Sequence, residues 1–290
     1  IESSSYNIDV QKLEKKIKIL NKNKKNIVAV IATDYAGNPC SWKELKKISL
    51  KYKFHLINDN CHAIGANYQN DIGYAVKYAD VVTHSYHPVK NMTTGEGGAV
   101  LSNNYEIIKK INILKSHGII KNSKLPSFRT KPWYYEMHYL GYNYRISDIQ
   151  CALGISQLKK INKFVNKRQE IAKIYNDEFE LNPVCKLQEI EKGTKHAYHI
   201  YPLQVNFDLV KKSKSKLFQY LKKKKINLQV HYIPIHLQPF YKKKFGFKKG
   251  DFKIAERFYE RQISLPIYFA LKKNEVYRIV KLIKNFIKNT

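Results

Sequence analysis

Residues 83–98 read THSYHPVKNMTTGEGG, and one lysine, Lys90, stands there between a Ser-Tyr-His-Pro sequence and a glycine-rich exit. The runs ADVVTHSY before this lysine and GGAVLSNN after it each predict a β-strand. The chain contains 53 Lys and Arg, most of them in runs that are typical of exposed surface, so a lysine isolated among turn-forming residues stands out. Such a lysine can bind phosphate, form a Schiff base with a carbonyl compound or lie on the surface without a role.

The sequence on both sides of this stretch alternates predicted strands and helices. Apolar runs that end in turn residues predict strands at residues 26–37, 54–66, 79–86 and 97–104, the first of them a buried parallel strand. Amphipathic spacing predicts helices at residues 10–20, 40–52 and 105–118. Strands that alternate with helices indicate an α/β fold with a mainly parallel sheet flanked by helices.

Capping residues refine the helix boundaries. Ser41 is the predicted N-cap of the second helix and forms a capping box with Glu44, whereas Gly118 is predicted to stop the third helix. A long helix is predicted over residues 147–180, with Asp148 placed favourably for the helix dipole.

The pattern of predicted strands and helices changes after Asn182. Strands are predicted at residues 196–205 and 226–234, and helices at residues 213–225, 251–262 and 273–289. This pattern predicts a smaller α+β domain. We place the boundary inside the long helix, so that residues 1–165 belong to a large domain and residues 166–290 to a small C-terminal domain.

Composition excludes several classes of protein. The 290 residues are 43% hydrophobic, and no apolar run approaches the roughly 18 residues that a membrane span requires. The start of the chain has no secretory signal pattern. The four cysteines are scattered without a CxxC pair, which is typical of reduced thiols, so we expect a cytoplasmic protein.

A net charge of +30 raises the possibility of a nucleic-acid partner. However, only six of the 53 basic residues are Arg, and the lysines are spread along the whole chain with abundant Asn, Ile and Tyr. A nucleic-acid binder more often groups Arg and Lys on one face with aromatic residues between them. We therefore expect no nucleic-acid partner.

Residues with a common chemistry lie near the predicted strand ends. Asp59 ends one strand and Ser85 ends the next, at the sheet edge where parallel α/β folds bind ligands. His62 follows Asp59 on the same turn, and Lys90 follows Ser85. A carboxylate, an aromatic ring, a hydroxyl and an amine in this arrangement fit pyridoxal 5'-phosphate, which needs a lysine, an acid facing its pyridine nitrogen and donors for its phosphate.

These motifs resemble the DegT-type sugar-nucleotide aminotransferases, a family of fold-type I enzymes that depend on pyridoxal phosphate. The resemblance extends over essentially the whole chain and is most specific in NDNCHAIGA, SYHPVKNMTTGEGG and GYNYRISDIQCALGISQL. The blocks LKSHGI, VHYIPIHLQPFY, AERFY and ISLPIY also match. The chain is most similar to the branch that aminates UDP-4-keto-6-deoxy-N-acetyl-hexosamines in pseudaminic acid biosynthesis.

The resemblance implies roles for individual residues. Lys90 corresponds to the Schiff-base lysine that also carries the catalytic proton, Asp59 to the partner of the pyridine nitrogen, and Ser85 to a phosphate ligand. His62 corresponds to a residue that contacts the cofactor ring, although a buried histidine bonded to backbone is an alternative. Asn143 corresponds to a residue that reaches the neighbouring subunit's cofactor, which implies a homodimer with shared active sites.

A loop in the second half concentrates further polar side chains. His231, Tyr232, His236 and Gln238 follow one another closely there. Their spacing raises the possibility of a metal site, but the neighbouring prolines and apolar residues favour a loop that faces substrate. We therefore predict no metal and name His231, Tyr232 and His236 as substrate residues.

The resemblance implies transfer of an amino group, with glutamate as donor, to C4 of the nucleotide-linked keto sugar. A related aminotransferase of different regiospecificity is an alternative, as is a 3-dehydratase, although the dehydratases of this fold carry histidine in place of the lysine. A non-catalytic sensor that keeps the fold is the alternative from another class.

The sequence departs from the family at its beginning. Family members normally carry a further N-terminal part, which includes a helix start that binds the cofactor phosphate. ESSSYNIDV, residues 2–10, resembles the segment that follows this part. We therefore expect an incomplete large domain, and weak cofactor binding or none by this chain alone.

Overall fold

The computed structural model describes residues 1–121, 127, 131 and 133–288. In this part of the chain, a four-stranded sheet has the order β1 (Ala29–Thr33), β2 (His55–Asp59), β3 (Val81–Ser85) and β4 (Gly98–Leu101). The first three strands are parallel and β4 is antiparallel to β3. The predicted α/β class is confirmed, with a sheet that is mainly parallel.

Helices connect and flank these strands. They are α1 (Val10–Lys22), α2 (Trp42–Tyr52), α3 (Tyr74–Tyr78) and α4 (Tyr105–Leu114). The apolar faces of α1 and α2 pack with the sheet in one hydrophobic cluster that includes Ile17, Ala32 and Leu45. Because β1, β2 and β3 run in the same direction, their carboxyl ends meet at one edge of the sheet.

Strand β1 is parallel as predicted, but it is not buried on both faces. Ala32 packs into the cluster, whereas the side chain of Ile31 is 64% exposed. The reason is that the cluster with α1 and α2 covers the face that carries Ala32, whereas Ile31 points to the opposite face.

The predicted long helix is two helices, α5 (Asp148–Leu158) and α6 (Ile161–Phe179). Helix α5 begins with a capping box in which Ser147 Oγ accepts from the backbone N–H of Gln150. The prediction of one continuous helix was wrong, because the i→i−4 hydrogen bonding is interrupted at Lys160, whose backbone N–H donates to Gln157 O at 2.9 Å.

The second half of the chain surrounds a small antiparallel sheet of β7 (Cys185–Lys186), β8 (Tyr201–Val205) and β9 (Gln262–Leu265). Its helices are α7 (Phe207–Val210), α8 (Lys214–Lys223), α9 (Pro239–Phe245), α10 (Lys253–Arg261) and α11 (Lys273–Lys288). A two-stranded ribbon, β5 (Ile119–Ile120) with β6 (Glu136–Met137), lies between the two halves in sequence.

Three local predictions were wrong. The Ser41 hydroxyl caps no helix N–H and instead donates to Glu191 Oε2 at 3.3 Å. Helix α4 ends at Leu114, before Gly118. The stretch 226–234 forms no regular strand and contributes one isolated bridge, Gln229 with Ser264, on the edge of β9 opposite β8.

Two clusters of buried apolar side chains fill the molecule. One surrounds the four-stranded sheet and extends to Val165 of α6, and the other surrounds the small sheet and begins at Ile171 of the same helix. The division into residues 1–165 and 166–290 stays a prediction. No helix within the described residues has both the length and the apolar composition needed to span a bilayer.

Candidate active site

A cavity of about 830 Å³ lies where the turn after β3 meets the small sheet. Ser85, Lys90 and Glu96 line it from the side of β3. Arg168, His199, His231, Tyr232 and Ser264 line it from the other half of the chain. Its size is within the range of pockets that hold a small-molecule ligand, roughly 300–1,000 Å³.

Asp59 lies at the carboxyl end of β2, between its register partners Thr33 of β1 and Thr83 of β3. Thr33 Oγ1 donates to Asp59 Oδ2 at 3.3 Å, and the backbone N–H of Cys61 donates to Asp59 Oδ1 at 3.2 Å. These two bonds fix the carboxylate at the same sheet edge as Ser85, as the sequence predicted.

Lys90 lies in the turn after β3, where its backbone N–H donates to His87 O at 2.9 Å. Burial lowers the pKa of the half-buried amine, although nearby charge at Cys61 and Asp59 acts in the opposite direction. The structure therefore brings the predicted amine and carboxylate into electrostatic reach of each other. In the described part of the chain, Lys90 and Asp59 form no ion pair within 4.0 Å.

The glycine-rich exit returns the chain from this turn into β4. Gly95 and Gly97 have φ of 80° and 155°, a region that favours glycine. Gly98 pairs with Ser85, and a Cβ atom at Gly98 would lie 2.6 Å from His84 O. The glycines therefore allow β4 to approach β3 closely behind Lys90.

His62 is buried, and its Nδ1 accepts a hydrogen bond from the backbone N–H of Ala36 at 3.3 Å. Burial lowers its pKa to about 3, and the positive charge of Lys90 acts in the same direction. The centroid of its ring lies 4.4 Å from that of His199 and 6.4 Å from that of Tyr232. The hydrogen bond from Ala36 is what the alternative interpretation, a buried histidine bonded to backbone, predicts. The ring of His62 also lies against His199 and Tyr232, which line the cavity.

The remaining predicted cofactor residues differ in position. Ser85 lines the cavity, and its Oγ accepts from the backbone N–H of His87 at 3.5 Å. Asn143 is exposed, pairs with Ser116 in an isolated bridge and does not line this cavity. Its neighbour Arg145 lines a separate cavity of about 700 Å³ next to β3 and β4.

The three predicted substrate residues do not all lie in the same place. His231 and Tyr232 line the cavity that contains Lys90. His236 does not, because it is buried and its Nε2 lies 2.8 Å from Glu256 Oε1. The same carboxylate accepts from the backbone N–H of Gly250, so His236 belongs to a contact that holds the following loop. Within the described residues, no group of His, Cys, Asp and Glu side chains could hold a metal ion.

Arg168 of α6 is a site residue that the sequence reasoning missed. It is 7% exposed, and its Nη1 donates to the carbonyl oxygens of Tyr198, His199 and Ile267 at 3.1, 3.2 and 2.8 Å. Burial lowers its pKa to about 10. The sequence contained a signal for its burial, because Arg168 lies at helical spacing from Ile171 and Tyr175 and so falls on the same core-facing side of α6.

His199, Ser264 and Gln262 were missed as well. Neither ring nitrogen of His199 has a hydrogen-bond partner among the described residues, and Nδ1 is buried. Burial lowers the pKa of His199 well below its ordinary value. The sequence predicts a strand at residues 196–205, the end of a helix at Gln262 and a family motif at residues 263–268, and none of these patterns says which side chains reach the cavity.

The sequence matches the model of the DegT/DnrJ/EryC1/StrS aminotransferase family over residues 1–284. It is 43% identical over 288 residues to an uncharacterised protein of Methanocaldococcus jannaschii, with 99% of this chain and 72% of the relative covered. It is 42% identical over 263 residues to the UDP-4-amino-4,6-dideoxy-N-acetyl-beta-L-altrosamine transaminase of Campylobacter jejuni. That match covers 90% of this chain and 65% of the transaminase, slightly less than two thirds of its length.

Among solved structures, the fold is similar to Helicobacter pylori PseC, an aminotransferase involved in the biosynthesis of pseudoaminic acid. The TM-score is 0.87 at 32% sequence identity, with 100% of this chain and 73% of that chain covered. The family match over nearly the whole sequence, together with these three similarities, leads to one conclusion: this chain belongs to the DegT/DnrJ/EryC1/StrS aminotransferase family, whose members depend on pyridoxal phosphate.

Proposed function

We propose that this chain carries the catalytic residues of a pyridoxal-phosphate-dependent aminotransferase that acts on C4 of a UDP-linked 4-keto-6-deoxy-N-acetyl-hexosamine. The observation that carries the proposal is the position of Lys90. Its amine lies in a cavity large enough for a ligand, at the same sheet edge as the Asp59 carboxylate. Its pKa is lowered by burial, which favours the neutral, nucleophilic form of an amine.

The chemistry of this set of side chains fits the cofactor. Asp59 supplies a fixed carboxylate for a protonated ring nitrogen, Ser85 supplies a hydroxyl for the phosphate, and Lys90 supplies the amine. When bound, pyridoxal phosphate supplies an aldehyde for condensation with amines and a cationic ring that stabilises negative charge on the adjacent carbon. The side chain of His62 lies against the other rings of this region and would contact the cofactor ring.

The protein's own task in the reaction is to hold and move a proton. Lys90 Nζ is the amine in the cavity whose pKa burial lowers, so it can take up a proton and return it. His62 and His199 stay neutral at physiological pH because their pKa values are lowered by burial. These two rings therefore add no positive charge near the Lys90 amine.

The substrate is inferred from the relatives together with the cavity. The Campylobacter jejuni relative is named for a UDP-linked 4-amino sugar, and PseC is named for pseudoaminic acid biosynthesis. We propose the corresponding 4-keto sugar as acceptor and glutamate as amino donor. His231 and Tyr232 line the same cavity as Lys90 and would contact the substrate.

We further propose that the protein acts in the cytoplasm as a homodimer with shared active sites. Large apolar side chains between residues 133 and 158 support pairing, since Trp133, Leu140, Tyr144 and Ile149 are each at least 70% exposed. Asn143 lies in the same stretch, away from the cavity of its own chain. It would reach the cofactor of the partner.

Borohydride reduction tests the central residue. Because weak cofactor binding is expected of this chain alone, the purified chain is incubated with an excess of pyridoxal phosphate and reduced, and the labelled peptide is mapped by mass spectrometry. We expect one labelled peptide, which contains Lys90, and no label there in Lys90→Arg. Lys77→Arg is the matched control because Lys77 is an exposed lysine paired with Asp71. A label mainly on lysines other than Lys90 would contradict the proposal.

A further inference from the structure

The side chain of His231 is held by a chain of hydrogen bonds from strand β9. The backbone N–H of His231 donates to Gln262 Oε1 at 3.1 Å. Gln262 Nε2 donates to Ser264 Oγ at 2.7 Å, and Ser264 Oγ lies 2.7 Å from His231 Nδ1. Gln262 is fully buried and Ser264 is 6% exposed, so solvent has little access to this chain of bonds.

The direction of each bond follows from the donors available. A backbone N–H can only donate, so the Gln262 atom that faces it is the amide oxygen. The other end of the same amide is then the NH₂ group, which can only donate to Ser264 Oγ. The Ser264 hydroxyl has one hydrogen, and in the described part of the chain His231 Nδ1 is the acceptor left for it. Buried hydroxyl hydrogens are rarely left unbonded.

His231 Nδ1 is therefore an acceptor, and the neutral ring carries its hydrogen on Nε2. Burial and the positive charge of Lys90 lower the pKa of His231, which favours the neutral ring. Nε2 has no hydrogen-bond partner among the described residues, and the ring lines the cavity that contains Lys90. The loop is also fixed from the other side, because the Tyr35 hydroxyl donates to His231 O at 2.6 Å.

We propose that Gln262 and Ser264 are positioning residues that hold His231 as a neutral Nε2–H donor for an anionic oxygen of a substrate. Two sources of such an oxygen suit the cavity, the diphosphate of a nucleotide sugar and the carboxylate of the amino donor. The identity of these ligands rests on the proposed function. The tautomer of His231 does not, since it follows from protein contacts alone.

Nuclear magnetic resonance of the chain labelled with ¹⁵N-histidine tests the tautomer without cofactor. The signals of His231 among the ten histidines are identified by their loss in His231→Gln. We expect a single species with the hydrogen on Nε2. Ser264→Ala should give a mixture of tautomers, because neither nitrogen then has a fixed partner, whereas Ser264→Thr keeps the hydroxyl and should keep the single species.

A hydrogen on Nδ1 in the unsubstituted chain would overturn the proposal. An unchanged single Nε2–H species in Ser264→Ala would overturn the positioning role of Ser264. Thermal unfolding of both variants shows whether the fold is retained, and Ser264→Thr supplies the hydroxyl-bearing comparison if the alanine variant is unstable. Failure here leaves the borohydride result at Lys90 unaffected, so the two proposals fail separately.

Titration with UDP and, separately, with glutamate then distinguishes the sources of the oxygen. A shift of the His231 Nε2–H resonance with UDP assigns the donor to the nucleotide sugar, and a shift with glutamate assigns it to the amino donor. Ser264→Ala should weaken affinity for the effective probe about three- to tenfold, the effect of one hydrogen bond. No shift with either probe at saturation would overturn the substrate role of His231.

Discussion

The rings of His62 and His199 pack against each other with centroids 4.4 Å apart, and neither side chain is more than 9% exposed. His62 follows β2 of the large sheet, whereas His199 precedes β8 of the small sheet. Their contact therefore joins the two halves of the chain directly beside the cavity of Lys90. Because both rings are neutral, this contact depends on pH.

Mild acid should destabilise the protein through its buried histidines. The pKa values of His62 and His196 are lowered to about 3, and that of His199 is also lowered, each mainly by burial. The unfolded chain protonates these rings near pH 6.5, so it binds more protons than the folded state below that pH, and stability falls as the pH falls. Asp34 opposes this because burial raises its pKa to about 6.

These three imidazoles and the Asp34 carboxyl leave a net difference of about two protons between pH 6 and pH 5, and His84, whose pKa burial lowers to about 4, adds about one more. The free energy of unfolding should therefore fall by roughly 4 kcal/mol over that unit, since one proton corresponds to about 1.4 kcal/mol per pH unit. Urea unfolding at pH 7.5, 6 and 5 measures it, and His62→Asn should lower the slope by about one proton. Equal stability at pH 7.5 and 5 would contradict this prediction.

Asp59→Asn should reduce aminotransfer without unfolding the chain. The amide keeps an acceptor for Thr33 Oγ1 and removes the negative charge that faces the ring nitrogen in the proposed complex. We expect the rate to fall at least about 100-fold, the effect of losing a group that controls protonation. Steady-state kinetics with saturating cofactor measures it. Asp71→Asn, a change in an exposed ion pair with Lys77, is the control and should retain the rate.

Gly37→Ala should disturb the site through a steric contact. Gly37 has φ of 99°, and a Cβ atom there would lie 2.9 Å from both His62 O and Tyr198 N. Gly250 has the same φ of 99° but has no atom within 4 Å of an added Cβ, so Gly250→Ala measures the backbone cost alone. We expect Gly37→Ala to destabilise by about 1–3 kcal/mol more than Gly250→Ala in urea unfolding. Equal losses of stability in the two variants would contradict this prediction, because the atoms around Gly37 would then have moved to accommodate the added Cβ.

Arg168→Met should be strongly destabilising. The guanidinium is the shared donor for three buried carbonyl oxygens, and each acceptor that loses its partner costs about 1–3 kcal/mol. We expect a loss of at least about 3 kcal/mol by denaturant unfolding. Arg278→Met removes an exposed bond to Lys224 O and should cost at most about 0.5 kcal/mol. A loss at Arg168 as small as at Arg278 would contradict its structural role.

The parts of the fold that the sequence predicted are those governed by local signals. Strands β1 to β4 and helices α1, α2, α8, α10 and α11 follow from periodicity and turn residues near their ends. The errors fall where longer-range contacts compete with local preference. Ser41 bonds Glu191 instead of its own helix, and residues 226–234 form only one bridge to β9, Gln229 with Ser264.

The sequence by itself determined the family and pointed to Asp59 and Lys90 as candidate site residues. Asp59 and Lys90 each follow directly from a strand and its turn, and parallel strands present their carboxyl ends at one edge. Only the tertiary structure decided which side chains complete the cavity. Arg168, His199 and Ser264 come from a helix, a loop and a strand of the second half, and His236 turns away to pair with Glu256. The physical reason is that short-range periodicity fixes which face of an element is buried, whereas the partner of a buried polar group is chosen by packing between segments distant in sequence.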